Sequence, residues 1–192
     1  MPDPLEKTAQ FTDGLDTLQA IAFDVDGVLT DGKLTWNAAG DESKTFAFAD
    51  VMGISLARRL GLKLALISGE PSPQVTQFAD KLKMHFVRKG CRDKATAVNE
   101  FAAEFHLSLE TICFFGDDVN DLFAMDLVGG CACPRNAAAE VREYVSARGA
   151  ANGRGFVSTQ HGGHGAVRDF VDAMLRVRGL RGKDVFTWRP PE

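Results

Sequence analysis

Ile21-Ala22-Phe23-Asp24-Val25-Asp26-Gly27-Val28-Leu29-Thr30-Asp31-Gly32 opens as a short apolar run and ends among three aspartates and two glycines. The apolar start suits a buried strand, and the glycines mark the loop that follows it. Asp24, Asp26 and Asp31 repel one another at neutral pH unless a cation or a strained loop offsets them. Hard oxygen donors in this number suit Mg2+, which takes one or two carboxylates and completes its shell with water and a substrate phosphate. Asp24 is then both ligand and candidate nucleophile, because a carboxylate can attack phosphorus and split one displacement into two through an aspartyl-phosphate. Asp26 is placed to protonate the leaving oxygen and then to activate water. An acidic strand-to-loop turn, with Asp26-Gly27 as turn chemistry, explains the same residues. The rest of the chain has to separate the two.

The 192 residues fit one domain large enough to bury a core without staples. A hydrophobic share of 45% and a charged share of 25% are ordinary for a globular protein. The net charge of -4 argues against nucleic acid or an anionic membrane as the main partner, so an anionic substrate must meet local positive charge. Cys91, Cys113, Cys131 and Cys133 form no disulfide framework and read as reduced core residues of a cytoplasmic protein. Cys131-x-Cys133 has no second pair at ligand spacing. Neither a signal peptide nor a membrane span is expected, since the start lacks an apolar segment and no apolar run approaches about 18 residues.

Residues 1–17 read as a mobile arm or short lead-in helix, 18–178 as the folded domain, and 179–192 as a loose tail. After the first strand, Lys33–Trp36 and Lys44–Phe48 flank a turn and predict a β-hairpin over about 32–48, projecting beyond the sheet. An isolated hairpin is marginal in water, so its apolar face is expected to pack on another subunit. A helix over Val51–Leu60 leads to a buried strand at Lys63–Ile67. Beyond it come a helix to about Leu82, a short strand at Met84–Val87 and a helix over Asp93–His106. Thr111–Phe115 is a strand, Val128–Cys133 another, Asn136–Val141 a helix start, and Ala166–Val177 an amphipathic helix. Strands alternating with helices predict an α/β fold: a Rossmann-like, mostly parallel sheet with helices on both faces. Ligands bind such sheets beyond the carboxyl ends of the strands, and three strands here end in Asp24, Ser68 and Asp117.

Ser68-Gly69 offers a hydroxyl and an exposed amide to a phosphate oxygen. Lys94, at the start of a long helix, can neutralise aspartate and phosphate charge together. Gly116-Asp117-Asp118-Val119-Asn120-Asp121 supplies Asp117 as a direct metal ligand, with Asn120 and Asp121 holding waters or bracing the loop. A helix N-terminus explains one or two of these acids but not their density after a buried strand. Nucleophile, phosphate grip, counter-charge and metal site are thus all present.

In this order the residues resemble the four motifs of the haloacid dehalogenase superfamily: the Asp24 segment, Ser68, Lys94 and the Asp117 segment. The resemblance covers about residues 20–175. It implies Asp24 as nucleophile, Asp26 as acid/base, Ser68 and Lys94 as phosphate binders, and Mg2+ held by Asp24, the Asp26 carbonyl and Asp117. Between Asp24 and Ser68 lie 43 residues, and between Ser68 and Lys94 lie 25. Neither gap holds a cap domain, which wants about 50 residues or more. An open site needs a large substrate or a neighbouring subunit to limit water.

The hairpin, Gly53-Ile54-Ser55-Leu56 and Gly162–Arg168 further resemble the capless 3-deoxy-D-manno-octulosonate 8-phosphate phosphatases and their relatives. That branch implies a homotetramer in which each hairpin closes a neighbour's site, and a role in making lipopolysaccharide or sialic-acid-like sugars. Glu70 stands where the octulosonate enzymes typically carry arginine, and Asp50-Val51-Met52-Gly53-Ile54 departs from their D-G-x-G-I. Glu70 with Lys81 is similar to the pair in relatives acting on 2-keto-3-deoxynononate 9-phosphate; eleven residues apart, they are expected to share one helix face and to contact sugar hydroxyl and carboxylate. Two rivals stand beside a sugar-acid phosphatase. A non-catalytic regulatory or binding module for acid-sugar activation has no use for Asp26, and a phosphomutase would need a lid.

Overall fold

The computed structural model describes residues 14–186. Six strands build one fully parallel sheet: β1 (Ala20–Phe23), β4 (Lys63–Ile67), β5 (Phe86–Arg88), β6 (Ile112–Phe115), β7 (Gly130–Cys133) and β8 (Gly155–Val157). Their order is β5-β4-β1-β6-β7-β8. The chain steps outward from β1 to β4 and β5, then crosses back to β6 on the other side of β1. The order therefore reverses between β1 and β6, and the loops after these two strands part around a crevice. Register sets Phe23 beside Phe115 and Leu66, so the residues that follow the two central strands emerge at one level.

The four central strands, β4, β1, β6 and β7, are buried on both faces, which is why they read as apolar runs. Ile21, Phe23, Leu64, Leu66 and Phe115 face α1 (Phe48–Arg59), α2 (Pro73–Leu82) and α6 (Ala166–Val177). Ala22, Ala65, Ile67, Phe114 and Cys131 face α3 (Lys94–Glu104), α4 (Leu122–Leu127) and α5 (Ala139–Asn152). On α6, Val167, Phe170, Val171 and Met174 recur at helical spacing and are fully enclosed, and Phe170 packs edge-on against Phe115 and Phe156. Gly53 lets α1 cross α6 closely, since a β-carbon there would stand 2.9 Å from the Arg168 Cα. Asp50 of α1 caps α6, accepting from the amides of Gly165 (3.0 Å), Val167 (2.9 Å) and Arg168 (3.1 Å).

The hairpin differs from its expected form. Its strands are two residues each, β2 (Thr35–Trp36) and β3 (Glu42–Ser43), and Phe48 already begins α1. Phe46 explains the early end: it turns back to stack on Phe78 of α2, with centroids 3.7 Å apart. Strand β8 was not expected from the sequence, being a three-residue edge strand behind a glycine. Within the described residues the domain reaches beyond 18–178 at both ends. Leu15 is buried in the core, and the expected tail folds back as a short helix, α7 (Gly182–Val185), with Leu180 and Val185 packed against the core and Arg59 over the Phe186 ring. The arm at 1–13 and the tail at 187–192 lie outside the described residues. No described helix is long and apolar enough to cross a membrane.

Candidate active site

Asp24 directly follows β1, and its amide donates to the Phe115 carbonyl at 2.9 Å, tying it to the end of β6. The loop after β6 turns through Gly116 to Asp117 and folds back on Asp121. The Asp121 carboxylate accepts from the amides of Asp117 (2.9 Å) and Asp118 (3.2 Å) with one oxygen and from Lys94 Nζ (2.6 Å) with the other. Gly116 makes room for it, since a β-carbon there would stand 2.4 Å from that carboxyl group. Lys94 is the first residue of α3, where the helix dipole disfavours a cation. It is held there by two carboxylates, Asp121 and Asp24, whose Oδ2 lies 2.8 Å from Nζ. All three side chains are nearly closed to solvent.

Asp24, Asp117 and Asp121 can each bring an oxygen within 4.8 Å of the others. Against these three negative charges stands one ammonium, which leaves a surplus of two. On these carboxyls the crowding of like charge adds to the effect of burial. Burial pushes the Asp24 carboxyl up to about 7, helped by Asp121 and opposed by Lys94. Burial, with Asp24 and Asp121 beside it, pushes Asp117 up to about 8. For Lys94, burial alone would lower the pKa, but Asp24 and Asp121 outweigh it and hold the ammonium above its ordinary value. Asp117 Oδ1 is buried with no hydrogen-bond partner. A surplus of two charges and an unpartnered buried oxygen fit a hard divalent cation such as Mg2+. Both Asp121 oxygens are already engaged, so Asp24 and Asp117 are the carboxylates with capacity to spare, and Asp121 braces Lys94 and the loop.

A cleft of about 300 Å³ opens over this cluster. Among the expected residues Asp24, Asp26, Gly69, Glu70, Lys94, Asp117 and Asn120 line it; the structure adds Gly32 and Asp118. Ser68 does not reach the lining. Its hydroxyl donates to the Glu70 carbonyl (3.3 Å) and accepts from the Glu70 amide (3.1 Å), shaping the loop that presents Gly69 and Glu70. Glu70 and Lys81 do not share a helix face, because Pro71 and Pro73 delay α2 until residue 73 and leave Glu70 in the loop before it. Lys81 lies outside the cleft of its own chain, its Nζ 5.8 Å from the Phe48 ring centroid. Arg168 does not enter the cleft either; it pairs with Asp172 at 2.8 Å. The glycine-rich segment does reach the site's supporting loop: Gly163 N–H donates to the Val28 carbonyl at 3.0 Å.

Lys44 escaped the sequence reading. Its side chain is fully enclosed and its ammonium donates to Asp26 Oδ1. The sequence carries no signal for it: Lys44 lies just past the two-residue β3 and reads as an ordinary surface lysine.

A sequence profile of the haloacid dehalogenase-like hydrolases matches residues 85–153. The 3-deoxy-D-manno-octulosonate 8-phosphate phosphatase of Haemophilus influenzae is 31% identical over 166 residues, covering 86% of this chain and 87% of that protein. Its solved structure with bound cobalt matches with a TM-score of 0.78 at 29% identity, over 87% of this chain and 92% of that one. The corresponding phosphatase of Moraxella catarrhalis, solved with magnesium ion, phosphate ion and a KDO molecule, matches with a TM-score of 0.78 at 28% identity, over 91% of this chain and 93% of that one. The chain belongs to the haloacid dehalogenase-like hydrolases, in the branch of the octulosonate phosphatases, and is a phosphoric monoester hydrolase.

Proposed function

We propose that the protein removes phosphate from a phosphorylated 3-deoxy-2-keto sugar acid, with 3-deoxy-D-manno-octulosonate 8-phosphate as substrate, by way of an aspartyl-phosphate on Asp24. The observation that carries this reading is the convergence of Asp24, Asp117 and Lys94 at the open end of the sheet. Asp24, Asp117 and the Asp26 backbone carbonyl would hold Mg2+, which when bound screens the carboxylates from the incoming phosphate and absorbs charge on its oxygens. Lys94 and the Gly69 backbone grip the phosphate, Ser68 shapes the turn that presents Gly69, and Asn120 and Asp121 brace the loop. Asp24 attacks phosphorus as Asp26 gives its proton to the departing sugar oxygen; Asp26 then takes a proton from the water that cleaves the acyl phosphate, which returns Asp24 to its carboxylate and Asp26 to its acid form.

The named relatives favour the eight-carbon sugar. Glu70, exposed at the lip of the cleft, favours a nine-carbon 2-keto-3-deoxynononate 9-phosphate as the competitor to test. The cleft is open, and Leu34 and Trp36 on the hairpin and Phe123 beyond the Asp117 loop expose large apolar surfaces. We take these as the contacts of a homotetramer in which a hairpin covers a neighbour's cleft and Lys81 serves a neighbouring site. A cytoplasmic setting suits the four unpaired thiols. The test is phosphate release from both sugar acids with Mg2+ by the wild-type chain and by Asp24→Asn. Turnover lost in the variant with the fold intact supports the reading; normal turnover by Asp24→Asn overturns it.

A further inference from the structure

Each of the two carboxylates assigned to the chemistry has its own enclosed lysine. Lys94 stands on Asp24, and Lys44 stands on Asp26. The second pair has no counterpart in the sequence motifs. Lys44 arrives from 18 residues away, at the base of the hairpin, with its side chain fully enclosed and with Glu42 Oε1 3.5 Å from its ammonium.

The backbone around Lys44 is pinned on both sides. Gln74 Nε2 donates to the Glu42 carbonyl at 2.5 Å, and Ser72 Oγ donates to Gln74 Oε1 at 2.5 Å, fixing that amide at the start of α2. Beyond Lys44, Phe46 stacks on Phe78 with ring planes 12° apart. The ammonium is therefore delivered to one place. It does not line the cleft, so it acts on Asp26 and not on substrate. By occupying Oδ1 it leaves Oδ2 as the oxygen free to exchange a proton.

We propose that Lys44 is a positioning residue that orients the Asp26 carboxylate toward the leaving oxygen and ties that orientation to the seating of the hairpin on α2. The proposal rests on the assignment of Asp26 as acid/base. An enclosed ammonium needs a partner wherever it sits, so a purely structural ion pair is the competing account. The two differ in which substrates suffer. An alkoxide leaves poorly without a proton, whereas p-nitrophenolate leaves without help. Because kcat/KM reports the steps through leaving-group departure, it reads the proton donor directly.

The experiment compares kcat/KM for 3-deoxy-D-manno-octulosonate 8-phosphate and for p-nitrophenyl phosphate, with Mg2+, in the wild type, Lys44→Met, Lys44→Arg, Asp26→Asn and Asp26→Asn/Lys44→Met. General acid catalysis contributes about 10²–10⁴-fold, so Lys44→Met should lower the sugar-phosphate value by about 100-fold and the aryl value by less than about 5-fold. Lys44→Arg should recover most of the loss. The double variant should fall no further than Asp26→Asn. Equal losses on both substrates, or additive losses in the double variant, overturn the positioning role. If Asp26→Asn itself lowers both substrates equally, the acid/base assignment is what fails. Should Lys44→Met not fold, Lys44→Gln carries the same comparison.

Discussion

Gly27→Ala tests the metal site from the side of the backbone. Gly27 has φ +87°, and a β-carbon there would stand 2.0 Å from Asp117 Oδ2. Ordinary contact needs about 3.4 Å, so the carboxylate must retreat by about 1.4 Å, far beyond the roughly 0.2 Å over which a metal-ligand distance is tolerated. The stability cost stays small, because Asp117 can swing its carboxylate aside; what remains is the left-handed backbone, worth about 1–2 kcal/mol. For a chain of this size that lowers Tm by about 2–8 °C. Mg2+ affinity should fall much further, by at least about 10–100-fold, since a displaced direct ligand costs no less than a lost supporting contact. Gly32→Ala is the matched control. Its φ of +77° carries similar strain, but its β-carbon would meet only the Gly27 backbone, Cα at 3.5 Å and N at 3.7 Å, both ordinary contacts. Titration calorimetry with Mg2+ and thermal melts on both variants give the comparison. If Gly27→Ala binds Mg2+ as tightly as Gly32→Ala, Asp117 is not a ligand whose position matters.

Asp50→Ala removes the cap that three α6 amides share; it should cost about 2–3 kcal/mol and lower Tm by about 4–12 °C, as read by melting. An unchanged Tm would mean that water replaces the carboxylate without loss. Glu70→Arg should raise the kcat/KM ratio of the eight-carbon over the nine-carbon sugar acid by about 10-fold, an effect of about 1.4 kcal/mol. An unmoved ratio takes Glu70 out of substrate selection.

The sheet and the two acidic strand ends were legible because burial on both faces makes β1 and β6 uninterrupted apolar runs, and because Asp24 and Asp117 break them abruptly. Helix α6 was legible for a related reason: Val167, Phe170, Val171 and Met174 write its buried face at helical spacing. What escaped was set by distant contacts. Phe46 leaves the strand pattern to reach Phe78, which moves the start of α1 back to Phe48. The exclusion of Glu70 from α2 is a local effect, since the helix opens at Pro73, where the sequence expects it, and Glu70 precedes it. Three residues at β8 carry too little pattern to show, and Lys44 looks like any surface lysine until Asp26 stands beside it. Asp121 was read as bracing the loop; its bond to Lys94 appears only once residues 27 apart are folded together.

The proposed chemistry turns on phosphoryl transfer to Asp24. Its most direct measurement is acid quenching of Asp26→Asn during turnover of p-nitrophenyl phosphate with Mg2+, followed by peptide mass mapping. One phosphoryl group on the peptide that contains Asp24, absent in Asp24→Asn/Asp26→Asn, is the predicted result. A phosphoryl group on another residue, or phosphate released by a variant that lacks Asp24, would contradict it.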